Sequence, residues 1–286
     1  MPWVADPVIR QWRADRGDTR EYGWFLCKEC GNGYPSFQPS QELLSFFWNR
    51  DRQDELEQGA DEQGIWNVRR EAARKNAARV FKMFASEYTA APGRFLDIAC
   101  GLGETIKFFS DRGWDAQGID VDPALKRFHD EIGIRSQIGP IETVHIDGKF
   151  DIINISHAIY FITNPEAFLK RLASNLQSDG LLCIVISNFL ASEGAGLSGY
   201  AHSFFPTGGS MTYALERAGY QTVFCRVKSG SIYIAARRGE GAKPLVYPRL
   251  IHLAYQTRLL RYALIGAPKL WLHAAAKRML SLARNR

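Results

Sequence analysis

Polar and apolar positions along the chain change period at one clear point. From Trp66 to Tyr88, Val68, Ala72, Ala73, Ala77, Val80, Phe81 and Phe84 recur every three to four residues among many charged side chains, and Ala91-Pro92-Gly93 then breaks the pattern. That spacing predicts an amphipathic helix. Beyond the break come short apolar runs at Phe95–Ala99, Ala116–Ile119, Gln137–Ile141, Phe150–Ile155, Leu181–Ser187, Gln221–Val227 and Ile232–Ala236, most separated by helical patterns. Strands alternating with helices predict an α/β fold with a doubly wound, seven-stranded, mostly parallel sheet. The last two runs lie too close together for a helical crossover, which predicts an antiparallel hairpin at the end of the sheet.

The flanks read differently. Residues 1–64 hold tryptophans, a Cys-Lys-Glu-Cys turn, Gly and Pro punctuation, one short helical pattern from Gln41 to Trp48 and a charged stretch from Arg50 to Glu62. Three parts follow: an irregular, knuckle-like segment (1–64), the α/β domain (65–240) and a tail (241–286).

Charge sharpens that division. The net charge is +6, yet nine basic and no acidic side chains follow Glu240, so the rest of the chain stands at −3. The basic character belongs to the tail. No apolar run of signal-peptide type opens the chain and no stretch of about 18 uncharged apolar residues occurs, which predicts a cytoplasmic protein. Of the five cysteines, Cys100, Cys183 and Cys225 fall in strand-like segments, where cysteine acts as a small buried hydrophobe, and no disulfide framework is implied.

Candidate chemistry starts where the first strand of the domain, Phe95 to Cys100, runs into Gly101-Leu102-Gly103-Glu104 and a helical pattern. A strand, a glycine turn and a helix start let backbone approach a ligand and aim N–H groups at it. A dinucleotide site would place a third Gly or Ala three residues on, where this chain has Ile106. Asp97 sits inside the strand end, where a carboxylate can meet the cationic end of an amino-acid-bearing cofactor. The next strand ends in Asp120, which suits two ribose hydroxyls.

Leu96-Asp97-Ile98-Ala99-Cys100-Gly101-Leu102-Gly103 resembles the first motif of class I S-adenosylmethionine-dependent methyltransferases. Gly113 to Pro123 resembles their second strand, Phe150-Asp151-Ile152-Ile153-Asn154 their fourth, and Asn164 to Leu182 the helix and fifth strand that follow, in the same order. The resemblance spans roughly Ala91 to Ala236 and implies a Rossmann-like methyltransferase fold with S-adenosylmethionine as cofactor. It implies that Asp97, Ala99, Gly101 and Gly103 hold the methionine portion, Asp120 the ribose, Val121 one face of adenine and the Pro140–Glu142 turn, with Ile141 and Glu142, its edge. Asn154, closing the fourth-strand motif, joins that set. Ala99 stands where a glycine is common in the family.

Methyl transfer from a sulfonium needs an oriented acceptor and, for some acceptors, a group that takes its proton. His157, just beyond the fourth strand, and His202, in the loop after the fifth, are the candidate bases, with Tyr160 and Tyr200 as lesser ones. The glycine-rich stretch Glu193 to Gly199 suits a lid or a long connection.

Cys27-Lys28-Glu29-Cys30 has the turn of a zinc knuckle, but no other Cys and no His precedes Cys100, so no local four-ligand metal site can form and a knuckle held by aromatics is expected. A Cys-x-x-Cys-Gly segment followed by Pro39-Ser40-Gln41-Glu42-Leu43 resembles bacterial sugar and glycan methyltransferases, without the second cysteine pair of the nucleotide-sugar C-methyltransferases. That resemblance implies O-methylation of a saccharide or glycan-like acceptor. A natural-product or small-molecule O-, N- or C-methyltransferase and a non-catalytic, membrane-associated scaffold remain alternatives.

In the tail, leucines alternate with basic residues from Pro248 to Arg286. Such helices suit an anionic membrane surface at the inner leaflet, or packing on the catalytic body or a second copy as a homodimer. Sparse aromatics and the acidic body argue against nucleic acid.

Overall fold

The computed structural model describes residues 12–20, 24–38, 40, 42, 43, 62–84, 87, 92–188, 202–228, 230–240, 248–261, 264, 265 and 268. The glycine-rich stretch at 193–199, Tyr200, most of the expected 41–48 helix and the tail beyond 268 lie outside the described residues.

A small hairpin comes first, β1 (Trp24–Leu26) paired antiparallel with β2 (Gly33–Pro35). Helix α1 (Glu62–Phe84) leads into the main sheet, whose strands are β3 (Arg94–Ile98), β4 (Asp115–Asp120), β5 (Arg135–Ile138), β6 (Phe150–Ser156), β7 (Leu176–Ser187), β8 (Tyr220–Lys228) and β9 (Ser231–Arg238). Between them lie α2 (Glu104–Ser110), α3 (Lys126–Glu131), α4 (Pro165–Ser174) and α5 (Gly208–Arg217), and α6 (Pro248–Arg261) follows the sheet. The sheet order is β5-β4-β3-β6-β7-β9-β8, parallel except for β9, which runs antiparallel to both β7 and β8. The expected doubly wound sheet and terminal hairpin are both present. Its order reverses between β3 and β6, where ligands of open α/β sheets gather at the strand carboxyl ends.

Alternation along the strands fills two cores. Phe95, Ile152, Leu181, Cys183 and Val185 pack with Val80 and Phe84 of α1 and with Ile106 and Phe109 of α2. Leu96, Ile98, Ile153, Ile155, Leu182 and Ile184 pack on the other face with Phe168, Leu169 and Leu172 of α4 and Leu215 of α5. Period two puts successive residues on opposite faces, so a central strand with both faces covered reads as a continuous apolar run.

Three expectations need correction. The third strand covers Arg135–Ile138 instead of 137–141: it is an edge strand of mostly polar residues, and Gly139 and Pro140 end it. The fifth begins at Leu176, paired with Phe150 before a register shift, because strand pairing extends past the apolar run into the exposed Ser178 and Asp179. Cys225 is exposed, since β8 is the other edge of the sheet, while Cys100 and Cys183 are buried as expected.

Candidate active site

The turn after β3 is built on positive backbone angles. Ala99, Gly101 and Gly103 have φ of 55°, 54° and 77°. The glycines take these angles without steric penalty; an alanine in the left-handed region costs roughly 1–2 kcal/mol, a strain held here by the surrounding strands. A side chain added at Gly101 would meet nothing within 4 Å, whereas one at Gly103 would run into Ile134 Cδ1. Gly101 thus faces open space, and Gly103 lets the turn close onto its support.

Two buried carboxylates flank the turn. Asp97 is 3% exposed, and burial, opposed by the hydrogen bond from Asn154 and reinforced by the Asp120 charge, pushes its carboxyl up to about 7. Asn154 Nδ2 donates to Asp97 Oδ1 at 2.7 Å, while Asn154 Oδ1 is buried with no partner among the described residues. Asp120 accepts from the Gly101 amide at 2.8 Å and the Asp122 amide at 3.1 Å, and burial raises its pKa as well. Two buried acids side by side are costly unless something cationic or hydrogen-bonding meets them.

Support for this turn comes from residues whose role the sequence does not announce. His129 is fully buried; its Nε2 donates to the Gly101 carbonyl at 2.7 Å, which fixes the proton on Nε2, and its Nδ1 bonds the Ser136 hydroxyl at 2.8 Å. Buried Glu104 is paired with Arg70 Nε at 3.1 Å and Arg74 Nε at 3.0 Å, both on α1. Trp66 of α1 packs with Leu102, Leu125 and Phe128, its ring centroid 4.5 Å from that of Phe128. A lone His and a Glu at a helix start carry no sequence signal for these partners: His129 lies 28 positions from Gly101, and Glu104 lies 30 and 34 from Arg74 and Arg70.

The remaining positions divide. Val121 is 48% exposed just past the end of β4, an apolar side chain left at the edge of the turn. Ile141 packs on the α4-side core, and its carbonyl accepts from Arg171. The Glu142 carboxylate accepts from the Thr163 amide at 2.8 Å and the Asn164 amide at 3.3 Å, so it is engaged at the start of α4.

His157 lies three residues past Asn154, at the carboxyl end of β6, with φ 55°. Its Nδ1 is 3.3 Å from Ser187 Oγ and 3.5 Å from the Tyr160 hydroxyl. Burial, with Arg79 adding to it, lowers its pKa below the ordinary imidazole value. His202 stacks on Phe161 at 5.0 Å and 16° and meets the edges of Tyr160 at 4.6 Å and Phe205 at 5.3 Å. That enclosure depresses its pKa to about 3. Tyr160 therefore stands between the two histidines, which the chain separates by 45 residues. The surroundings differ: Ser187 and Tyr160 give His157 polar company, whereas His202 is packed among rings.

Residues 68–223 match a family model described as a methyltransferase domain. The chain belongs to the methyltransferase-domain family. The chain is 32% identical over 124 residues to a ubiquinone biosynthesis O-methyltransferase of Bradyrhizobium sp. (strain ORS 278), and 29% identical over 124 residues to one of Rhodopseudomonas palustris (strain HaA2). Both matches cover 40% of this chain and 48% of the relative, so the chain spans about half the length of the curated relatives it matches. A chain of the solved complex between the Haloferax volcanii Trm112 methyltransferase activator and a methyltransferase is similar in fold, at TM-score 0.52 and 12% identity, over 61% of this chain and 95% of that one.

The residues present fit S-adenosylmethionine, the cofactor that the motif resemblance implies. Asp97 offers a carboxylate to its ammonium, Asp120 lies at the strand end where ribose hydroxyls can bind, Gly101 leaves room for close backbone approach, and Val121 gives an apolar edge. The place of a dinucleotide's third glycine is filled by Ile106, which is fully buried in the core.

Proposed function

We propose that this protein transfers a methyl group from S-adenosylmethionine to a hydroxyl group of a small molecule. The observation that carries the proposal is the succession on β6: Asn154 beside Asp97 in the cofactor cradle, and His157 three residues farther on at the strand end. Bound there, S-adenosylmethionine supplies an already electrophilic methyl group. What the chain adds is position and proton removal.

His157 serves as base. Its lowered pKa leaves the ring neutral at pH 7, ready to take a proton, with Ser187 and Tyr160 orienting it. Such a base matches an acidic hydroxyl best. A phenol near 10 lies about 4 units above imidazole, whereas a hydroxyl near the 15.7 of water lies about 9 above it. Oxygen is the acceptor atom named for the relatives, and a phenolic hydroxyl is the class that the base favours. His202, enclosed by three aromatic rings, forms the wall of the acceptor side.

A saccharide acceptor is the second reading, favoured by the packing of the Cys27–Cys30 knuckle against the segment that carries His202. For α6 we infer an anionic lipid surface as partner: Leu250, Leu253 and Leu260 are 55–62% exposed, and their spacings of three and seven residues put them on one helical face. A second copy would set like charges against each other, since no acid follows Glu240.

The test pairs calorimetric titration with S-adenosylmethionine and with NADH to turnover of methyl-labelled cofactor on phenolic and saccharide panels. Binding of the first cofactor alone with label in phenols supports the proposal. Label confined to saccharides moves it to the second reading, and cofactor binding without turnover on either panel leaves a non-catalytic scaffold.

A further inference from the structure

The N-terminal knuckle is built into the acceptor side of the domain. Gly33 of β2 and Phe205 exchange both backbone hydrogen bonds: the Phe205 amide donates to the Gly33 carbonyl at 2.6 Å, and the Gly33 amide donates to the Phe205 carbonyl at 3.4 Å. One position earlier, Asn32 Oδ1 accepts from the Ser210 hydroxyl at 3.3 Å. Gln38 Nε2 reaches the Ser203 carbonyl at 3.3 Å, and the Tyr213 hydroxyl reaches Glu29 at 3.3 Å.

On its other side the same segment is tied to the turn after β6. The Ser203 amide donates to the Tyr160 carbonyl at 2.8 Å, and the Ser203 hydroxyl to the Phe161 carbonyl at 3.4 Å. Residues 202–207 are thus a strap between the knuckle and the turn that presents Tyr160 and Phe161, and His202 is held on that strap against both rings.

Backbone hydrogen bonds close the knuckle on itself. The Cys27 amide donates to the Asn32 carbonyl at 2.8 Å and the Gly31 amide to the Cys27 carbonyl at 2.9 Å, closing the turn that places Asn32 and Gly33. Helix α6 braces it from behind: His252 Nε2 donates to the Cys27 carbonyl at 3.2 Å, and Ile251 packs so closely on Gly31 that a side chain there would lie 2.8 Å from it.

We propose that Asn32 and Gly33 are positioning residues for acceptor binding: the knuckle fixes the strap at Phe205 and, through Ser210, at the start of α5 that follows it, and the strap sets the aromatic wall of Tyr160, Phe161 and His202. The wall follows β6 and β7, whereas the cradle is centred on the turn after β3 and the end of β4 and reaches β6 only at Asn154, which among the described residues the knuckle does not touch; the knuckle therefore governs acceptor affinity and leaves cofactor affinity alone. This inference rests on the reading that the His157 side is where the acceptor binds. It also gives the Cys-x-x-Cys turn a task that needs no metal, shaping the loop that delivers two backbone bonds and one side-chain acceptor to the domain.

The experiment uses the full-length protein with Asn32→Ala, Asn32→Asp and Gly33→Pro. Three readouts are followed: amide hydrogen exchange over 202–210, S-adenosylhomocysteine affinity by calorimetry, and steady-state constants on the acceptor that the panels select. Asn32→Ala is expected to speed exchange of the strap about tenfold, as the loss of one hydrogen bond to a folded segment does, and to raise acceptor KM with little change in kcat or in S-adenosylhomocysteine affinity. Asn32→Asp keeps an acceptor oxygen for Ser210 and is expected to restore both. Gly33→Pro removes the amide donor and is expected to exceed Asn32→Ala; if it fails to fold, the Asn32 pair still decides. Unchanged strap exchange in Asn32→Ala, or a KM that stays put while the strap loosens, overturns the inference. Absence of turnover in the unmodified protein sinks the transferase reading instead, with the exchange readout still reporting on the strap.

Discussion

Asp97 and Asn154 face each other across neighbouring parallel strands, in register, with 2.7 Å between Nδ2 and Oδ1. Hydrogen bonding from the Asn154 amide and from the Thr105 side chain does not offset the desolvation that drives the carboxyl up to about 7.

A pH dependence follows. An acid whose folded pKa exceeds its unfolded value of 3.8 binds a proton more readily when folded. Its contribution to stability is complete below about pH 4 and is lost as pH rises to about 7, a swing of about 4 kcal/mol. Cofactor binding runs the other way, because the ammonium needs the ionised carboxylate: affinity should climb about tenfold per pH unit between 5 and 7, then level off. Calorimetry in two buffers of different ionisation enthalpy should record about one proton released per cofactor bound at pH 5.5. A flat affinity over this range would remove Asp97 from the ammonium site.

His129 holds the Gly101 carbonyl from beneath the turn. His129→Leu keeps the volume and deletes both hydrogen bonds, leaving Gly101 and Ser136 without them. Denaturant unfolding should show a loss of about 2 kcal/mol, and S-adenosylhomocysteine should bind several-fold more weakly. Ser136→Ala, which removes only the outer bond, should cost about half as much.

For His157 the sign is opposite to that of Asp97. Its lowered pKa means that the neutral base persists below pH 6.5, so kcat should stay level through that value and fall only at lower pH. His157→Gln should cut kcat by about 10²–10⁴-fold while cofactor affinity holds. The same loss in His202→Gln, with the acceptor KM unmoved, would reverse the roles given to the two histidines.

Sedimentation with phosphatidylglycerol-containing vesicles tests the leucine stripe of α6. Binding should weaken with salt and fall in a Leu253→Ser, Leu260→Ser double variant, and phosphatidylcholine vesicles should bind poorly. Equal binding to both vesicle types, or capture by nucleic acid alone, would dismiss the anionic lipid surface.

What the sequence determined is what lies close together along the chain. The strands of the sheet were legible because buried central strands need unbroken apolar runs, and the glycine turn with its two flanking acids because these lie within some 25 residues of one another. Edge strands escaped in part: β5 is mostly polar, and β8 leaves Cys225 at the surface, because half of an edge strand meets solvent.

Tertiary structure decided whatever depends on distant segments meeting. His129 beneath Gly101, Arg70 and Arg74 on Glu104, Tyr160 between His157 and His202, and Gly33 against Phe205 pair residues up to 172 positions apart. A hydrogen bond or a ring contact leaves no periodicity in either partner's neighbourhood, so only the folded chain, which sets the distance, could select these pairs.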